Sequence, residues 1–202
     1  MKTYNDFILI ITWPYGLVKG AYSWYDCIFS SKGNYKFGHT ALILVNSKNG
    51  TNHYFDYGRF EGSKKLGRIR SSISDKTLHI KTRSAIKNGV ILNIDDVLHE
   101  INNNQDAKNL FLNNVTQLIY GAIIKNINFN ESYKIVNDMM KRKYQYGPFI
   151  FNGLTCGRFV YKIVYKSNAS ISDKFKTIFF DIIIRFRRFE KLAVKTFFKH
   201  NF

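Results

Sequence analysis

Cys156, one of the chain's two cysteines, lies where a loop meets an apolar stretch with helical spacing. The run "NGLTCGRFV" (152–160) supplies helix-breaking residues before the cysteine and Gly157 after it. A thiol attacks as its thiolate, which the positive end of a helix and a neighbouring imidazolium both stabilise. Backbone N–H groups at a helix start can also hold an oxyanion, and Gly157 would let a substrate approach them. These features favour a nucleophile, whereas the alternative is an inert buried cysteine.

His39 is the candidate base. It follows Gly38 and opens the run "HTALILVN" (39–46), whose two alternating sets of side chains are both apolar or small. This pattern predicts a central strand that is covered on both faces. A histidine at the end of such a strand is held rigidly, as a general base requires, although a purely structural histidine would fit the same position.

A base also needs a partner that orients its second ring nitrogen. Asn49-Gly50 predicts a hairpin that brings the following strand, residues 52–60, beside His39. On that strand Asp56 is the favoured third member, because a carboxylate stabilises an imidazolium, and His53 is the alternate. Asp56 could instead form an ion pair with Arg59 or Arg68.

Other segments supply the scaffold. The periodicity of the sequence predicts a buried first strand and a helix that begins at Cys156. It also predicts strands over 76–85 and 117–129, a helix over 93–104, and a helix that Ser132 caps.

Composition limits the class of protein. A chain of 202 residues with 45% apolar residues forms one domain with, at most, an appendage. The formal charge of +17 indicates an anionic partner, although a soluble protein of basic composition would carry the same charge. Two cysteines form no disulfide framework, and the sequence has no zinc motif, so we expect neither a metal nor a cofactor.

The last segment differs in character. We predict a main domain over residues 1–170 and a basic amphipathic helical tail over residues 171–202. The tail interleaves aromatic and aliphatic residues with Lys and Arg, as helices that lie on anionic membranes do, and a helix packed on its own domain is the alternative. The chain has neither a signal peptide nor a membrane-spanning run, which predicts a cytoplasmic protein with peripheral membrane association through the tail.

The order of these motifs resembles a known group. The runs "GHTALILVN", "YFDYGRF", "GRIRSS", "YGPF" and "TCGRFV" are similar to those of circularly permuted papain-like thiol hydrolases. This group includes NlpC-type and lecithin retinol acyltransferase-like proteins, and the resemblance is strongest to an uncharacterised bacterial family within it. It covers residues 6–166 and leaves the tail outside.

The resemblance implies an α+β fold in which an antiparallel sheet carries the nucleophile-bearing helix. It implies that Cys156 is the nucleophile, His39 the base and Asp56 the third member. One departure is Thr155, since the relatives often have asparagine before the cysteine. Thr155 is a candidate for a hydroxyl near the oxyanion.

Several other residues are candidates for the cleft. Tyr146 lies in the run before the cysteine loop and could form an edge of the cleft, and Trp24 could form a wall, although a core or turn position would suit Trp24 equally. Four arginines could bind an anionic substrate group or form structural ion pairs. They are Arg59, Arg68, Arg70 and Arg158.

Two functions follow. The first is a cysteine-dependent hydrolase or acyltransferase that acts on an amide, ester or thioester of a small-molecule, lipid or peptide substrate. The basic tail favours lipid, and the absence of an export signal counts against cell-wall amides unless a secretion machine delivers the protein. The second is a non-catalytic basic protein that binds lipid headgroups or nucleic acid. Nucleic acid is the weaker partner, because the sequence has no nucleic-acid-binding motif.

Overall fold

The chain folds into short strands and helices that are arranged around one central sheet. The computed structural model describes residues 4–13, 17–19, 24, 26–29, 32, 34–35, 38–60, 66–108, 120–147, 150–177 and 200–201. The strands are β1 (Asp6–Trp13), β2 (Val18–Lys19), β3 (Asn34–Tyr35), β4 (His39–Val45), β5 (Asn52–Gly58), β6 (Leu66–Ser71), β7 (Ile86–Lys87), β8 (Val90–Ile91), β9 (Tyr120–Ile127), β10 (Tyr144–Gln145) and β11 (His200–Asn201). The helices are α1 (Asp26–Phe29), α2 (Ile94–Asn103), α3 (Gln105–Lys108), α4 (Phe129–Met140) and α5 (Cys156–Lys166).

Seven strands form the central sheet in the order β10-β6-β5-β4-β1-β9-β11. Each neighbouring pair in this sheet is antiparallel. The α+β class with an antiparallel sheet, as expected from the sequence, is therefore confirmed.

Strand β4 lies at the centre of the sheet and is buried along its whole length. Successive side chains of a strand point to opposite faces, so this strand contributes to two separate cores. Leu42 and Leu44 pack with residues of α4 and α5, whereas Ala41, Ile43 and Val45 pack with residues of α2. The helix that begins at Cys156 is consequently fixed against β4 and β5 on one face of the sheet.

The hairpin between β4 and β5 sets the register of the site. Gly50 has a φ of +70°, and a Cβ placed there would lie 2.5 Å from the backbone oxygen of Ser84, so no other residue fits this turn without strain. The turn pairs Val45 with Asn52 and, four residues further along, Ala41 with Asp56. The predicted Asn-Gly hairpin thus brings Asp56 to the His39 end of β4.

Two predicted elements are wrong. Residues 76–85 do not form a strand: a short 3₁₀ turn over Lys76–Leu78 is followed by irregular chain. Leu78, Ile80 and Ser84 are buried, which produces the alternating pattern of the sequence. The backbone of this segment nevertheless pairs with no long strand of the described residues. Ser132 does not cap α4 either. Ser132 is buried within the helix. The side chain of Asn128 caps α4 instead, by accepting a hydrogen bond from the Glu131 N–H.

The predicted tail is described in part. Residues 171–177 are helical, and Lys174 lies 5.7 Å from the ring of Tyr165 on α5, so the tail begins in contact with the main domain. Residues 178–199, which carry most of the predicted amphipathic pattern, lie outside the described residues. The division at residue 170 stays a prediction. Among the residues that the structure describes, no helix has the length and apolar character needed to cross a membrane.

Replacing Phe159 with alanine tests whether α5 is held by its buried face. Phe159 is fully buried against the sheet, so Phe159→Ala is expected to lower the free energy of unfolding by roughly 3–5 kcal/mol in urea titrations. Tyr165→Ala, an equally large truncation on the exposed side of the same helix, should cost under about 1 kcal/mol. Equal losses in the two variants would contradict this packing.

Candidate functional site

His39 and Asp56 form a buried pair. Asp56 is paired in register with Ala41, two residues along β4 from His39, so both side chains lie on the same face of the sheet. The Nε2 atom of His39 lies 3.1 Å from Oδ2 of Asp56, and the carboxylate is 0% exposed. The structure thus brings together two of the residues that the sequence singled out.

Asp56 also accepts hydrogen bonds from Tyr54 on its own strand, β5, and from Arg70 on β6. The Tyr54 hydroxyl donates to Oδ2 at 2.8 Å, and Arg70 donates to both oxygens, at 3.0 Å from Nε and 2.6 Å from Nη2. Burial alone would raise the pKa of Asp56. The hydrogen bonds and positive charges of His39 and Arg70 outweigh it and hold the pKa below its ordinary value. Asp56 is therefore a carboxylate.

Arg70 is the arginine that pairs with Asp56, where the sequence offered Arg59 or Arg68. It lies directly opposite Asp56 in the β5–β6 register and is itself buried. Its guanidinium stacks 3.6 Å from the Phe60 ring and donates to the Asp106 backbone oxygen at 2.9 Å. The sequence offered Arg70 a structural ion pair but no particular partner, because "LGRIRS" shows little apolar alternation and so does not indicate a strand that would pair with β5.

The imidazole of His39 is fixed on its other sides as well. The Trp13 ring stacks on it with 5.9 Å between centroids, and the Thr12 hydroxyl donates to the His39 backbone oxygen at 2.9 Å. Burial lowers the pKa of His39, but hydrogen bonds to Asp56 and Cys156, together with their charges, raise it to about 9. At neutral pH His39 is therefore an imidazolium that donates to Asp56.

Cys156 reaches His39 at the end of the sheet. It is the first residue of α5, and His39 is the first residue of β4, so the two elements present them at adjoining ends. Cys156 lies close enough to the imidazole to raise the pKa of His39, and Cys156 is partly exposed whereas His39 is buried. Cys156 is thus the more accessible residue of this pair.

The first turn of α5 presents backbone donors beside the sulfur. The Thr155 hydroxyl caps the helix by accepting from the Arg158 N–H at 3.1 Å. This bond satisfies the third N–H of the helix, and the N–H groups of Cys156 and Gly157 precede any carbonyl to which a helix could bond them. Thr155 therefore acts first as a helix cap, and the backbone supplies the donors that an oxyanion would need.

Arg158 holds the loop that precedes the cysteine. Its Nη1 donates to the backbone oxygens of Gly153, Ile150 and Gly147 at 3.0, 3.4 and 3.5 Å. Gly153 is packed so tightly that an added Cβ would lie 2.8 Å from the Gly147 oxygen. These contacts make Arg158 an anchor of the loop through backbone oxygens, where the sequence offered anion binding or an ion pair with an acidic residue.

His53, the alternate third member, lies elsewhere. It pairs with Leu44, five residues along β4 from His39, which corresponds to roughly 17 Å at the rise of a strand. Its ring packs on Phe129 and Tyr133, with centroids 5.3 and 5.4 Å away. The alternate assignment is therefore wrong: odd-numbered residues of β5 face α4, and only the even-numbered ones share the face of His39.

The remaining cleft candidates occupy different surroundings. Tyr146 stacks on Tyr57 at 5.8 Å between centroids, and the Arg59 guanidinium lies 5.2 Å from the Tyr146 ring. Arg68 forms a two-pronged ion pair with Asp75, both bonds 2.8 Å long, which is the structural alternative to anion binding. Trp24 is 72% exposed. A cleft role for Tyr146 and Trp24, and an anion-binding role for Arg59, stay predictions.

Metal binding has no local support in the part of the chain that the structure describes. Within those residues, no three or more His, Cys, Asp or Glu side chains are grouped so that they could hold a metal ion.

Comparisons with known proteins add a family and a fold. The family model described as type VI secretion system effector TseH-like matches residues 8–172. The crystal structure of the type VI secretion system effector TseH is similar to this chain with a TM-score of 0.50 and 20% sequence identity. The similarity covers 79% of this chain and 75% of that one. Among curated proteins, none matches.

Arg70 and Arg68 form a matched pair for testing the buried carboxylate. Both lie on β6 and both bind an aspartate through two bonds, but only the Arg70–Asp56 pair is buried. Arg70→Met should lower the free energy of unfolding at pH 7 by roughly 3–5 kcal/mol, because it leaves a buried charge short of partners. Arg68→Met should cost about 1 kcal/mol or less.

Acid titration of the same variants gives a second readout. Asp56 has a depressed pKa, so its stabilising effect is present above its unfolded pKa and is lost as the pH falls through the folded one. Without Arg70 the folded pKa rises, and acid unfolding, followed by circular dichroism, should begin at a higher pH than in Arg68→Met. Coincident acid transitions would show that Arg70 does not hold the charge of Asp56.

Proposed function

We propose that this chain, which belongs to the TseH-like family of type VI secretion system effectors, is a cysteine-dependent hydrolase. In this proposal Cys156 is the nucleophile, His39 the acid and base, and Asp56 the residue that orients His39. One observation carries it: a partly exposed cysteine at a helix start lies close enough to a buried histidine to raise the pKa of its imidazole, and a buried carboxylate holds that imidazole from behind at 3.1 Å. The chain order His, Asp, Cys is the order of the permuted papain-like group.

In the proposed reaction Cys156 attacks as its thiolate beside the protonated His39. Nε2 of His39 faces Asp56, so the other ring nitrogen, Nδ1, is the one available to the sulfur. The thiolate adds to the carbonyl carbon of the substrate, and the N–H groups of Cys156 and Gly157 stabilise the oxyanion. His39 then donates its proton to the leaving group as the bond to the carbonyl carbon breaks, and an acyl-thioester forms on Cys156.

Water completes the cycle. Neutral His39 takes a proton from a water molecule, which adds to the thioester carbonyl, and the acid is released as the sulfur leaves as thiolate. Asp56 keeps the imidazole in one orientation through both steps and stabilises its charged form, while Tyr54 and Arg70 hold Asp56 itself.

Family membership favours a peptide amide as the substrate. A cell-wall amide lies outside the cytoplasm, so an enzyme made inside the cell needs a delivery route to reach it. Membership of a family of type VI secretion effectors supplies such a route, so we propose export by this machine and hydrolysis of a peptide amide beyond the cytoplasm. The cytoplasmic expectation then applies to the protein before export.

The non-catalytic alternative has less support. A binding protein on this scaffold would have no need of a thiol within hydrogen-bonding reach of a charged imidazole, and burying Asp56, His39 and Arg70 together costs desolvation energy that binding at a surface would not require. A lipid substrate depends on the tail, whose basic amphipathic part lies outside the described residues.

The two cysteines provide an internal control for the nucleophile. Cys27 is the exposed cysteine of the pair. A thiol-directed activity probe should label the wild type and the Cys27→Ala variant but not the Cys156→Ala variant. Hydrolysis of cell-wall peptide fragments, followed by mass spectrometry, should fall by roughly 1,000-fold or more in Cys156→Ala and His39→Ala. Undiminished hydrolysis in Cys156→Ala, or labelling that depends on Cys27 alone, would remove the proposal.

The pH dependence tests the role of Asp56. His39 stays protonated until the pH approaches its pKa of about 9, so kcat/KM should fall as the pH rises through that value and the proton donor is lost. Because Asp56 raises this pKa, Asp56→Asn should move the alkaline limb to lower pH. The ¹⁵N shifts of His39 should titrate in parallel. An unmoved limb and an unmoved titration would contradict the assignment of Asp56.

A further inference from the structure

A groove of about 810 Å³ lies apart from the cysteine and histidine. Its walls come from the end of α4, the edge strand β10, the loop before α5 and the outward side of α5. Neither Cys156, His39 nor Asp56 lines it, and the reaction proposed above uses none of its residues. Its volume is within the range of ligand-binding pockets.

The groove is strongly positive. Four basic residues line it, Arg142, Lys143, Lys162 and Lys166, against one acidic residue, Asp138. Within the described residues, none of these four has a carboxylate partner in an ion pair, and the Asp138 carboxylate lies 3.5 Å from Lys141. The groove therefore presents uncompensated positive charge to whatever enters it.

Lys162 is held in place before any ligand arrives. Its ammonium group lies 5.6 Å from the centre of the Tyr144 ring, which attracts a cation. Burial lowers the pKa of Lys162, and the nearby charges of Lys166 and Arg158 lower it further. An anion bound here would offset this repulsion between positive charges, so the groove favours negatively charged ligands.

An apolar group borders the positive charge. Phe151 and Tyr165 both line the groove, and both are exposed, Phe151 to 92% and Tyr165 to 55%. Aromatic side chains beside cations are the residues that most often supply the binding energy of protein interfaces. The groove thus suits a ligand that carries both carboxylates and apolar side chains.

We propose that this groove binds an acidic segment of a partner polypeptide, with its carboxylates on the four basic side chains and an apolar residue against Phe151. Nucleic acid would offer the same charge, but successive bases need several open ring faces on which to stack, and Phe151 offers one. Lys162 covers the Tyr144 ring, and Lys174 and Tyr161 lie against the ring of Tyr165. The rings position cations here, so carboxylates are the better match.

Fluorescence anisotropy with the full-length Cys156→Ala protein tests this proposal without cleavage of the probe. The probe is a short labelled peptide of alternating Glu and Leu. The comparison probes are the same peptide with Gln for Glu and a single-stranded oligonucleotide of equal charge. We expect the acidic peptide to bind, the Gln peptide to bind at least tenfold more weakly, and the oligonucleotide to bind more weakly than the acidic peptide. Tighter binding of the oligonucleotide would overturn the proposal in favour of nucleic acid.

Matched variants separate the groove from the general charge of the protein. Lys162→Gln with Lys166→Gln should weaken binding of the acidic peptide about tenfold, since two close charge pairs are lost. Lys76→Gln with Lys87→Gln removes the same charge from exposed positions outside the groove and should change binding by less than about twofold. Equal weakening by the two double variants would overturn the proposal.

Phe151 provides the apolar half of the test. Phe151→Ser should weaken binding of the peptide severalfold, whereas Ile73→Ser, at another exposed apolar position outside the groove, should leave binding unchanged. Unchanged binding in Phe151→Ser would show that charge alone attracts the peptide and would remove the apolar contact from the proposal. Because the readout is binding, these results do not depend on whether Cys156 is catalytic.

Discussion

The buried carboxylate of Asp56 is the constraint on which the rest of the site depends. It is fully enclosed, and it accepts bonds from His39 on β4, Tyr54 on β5 and Arg70 on β6. A buried charge is stable only when hydrogen bonds and opposite charges compensate for its desolvation. An unpaired Asp56 would be costly, so its contacts favour a single register of the three adjacent strands β4, β5 and β6. The pKa of His39 near 9 follows from the same arrangement, because the carboxylate and the thiol offset the effect of burial.

The two parts of the candidate site come from opposite faces of the sheet. His39 and Asp56 belong to the face that packs on α2, where Trp13 stacks on the imidazole, whereas Cys156 begins the helix that packs on the other face. They meet where β4 starts and α5 starts, at the end of the sheet. This geometry leaves Cys156 partly exposed and buries His39.

Positive charge in this protein has more than one use. Arg70 stabilises a buried carboxylate, and Arg158 anchors the loop before Cys156 through three backbone oxygens. The basic residues around Lys162, in contrast, surround an open groove. The formal charge of +17 therefore combines charges that the fold itself satisfies with charges that face outward.

The sequence by itself determined the parts of the site that depend on local signals. The Asn49-Gly50 turn sets the hairpin that brings Asp56 to the His39 end of β4, and the breakers before Cys156 set a helix start, because short-range backbone preferences decide both. Only the tertiary structure decided which residues face each other across strands. It placed Arg70 opposite Asp56, turned His53 to the other face, and brought Cys156 to His39. These contacts join segments far apart in the chain, and the packing of whole elements on the sheet fixes them, so no local pattern carries the information.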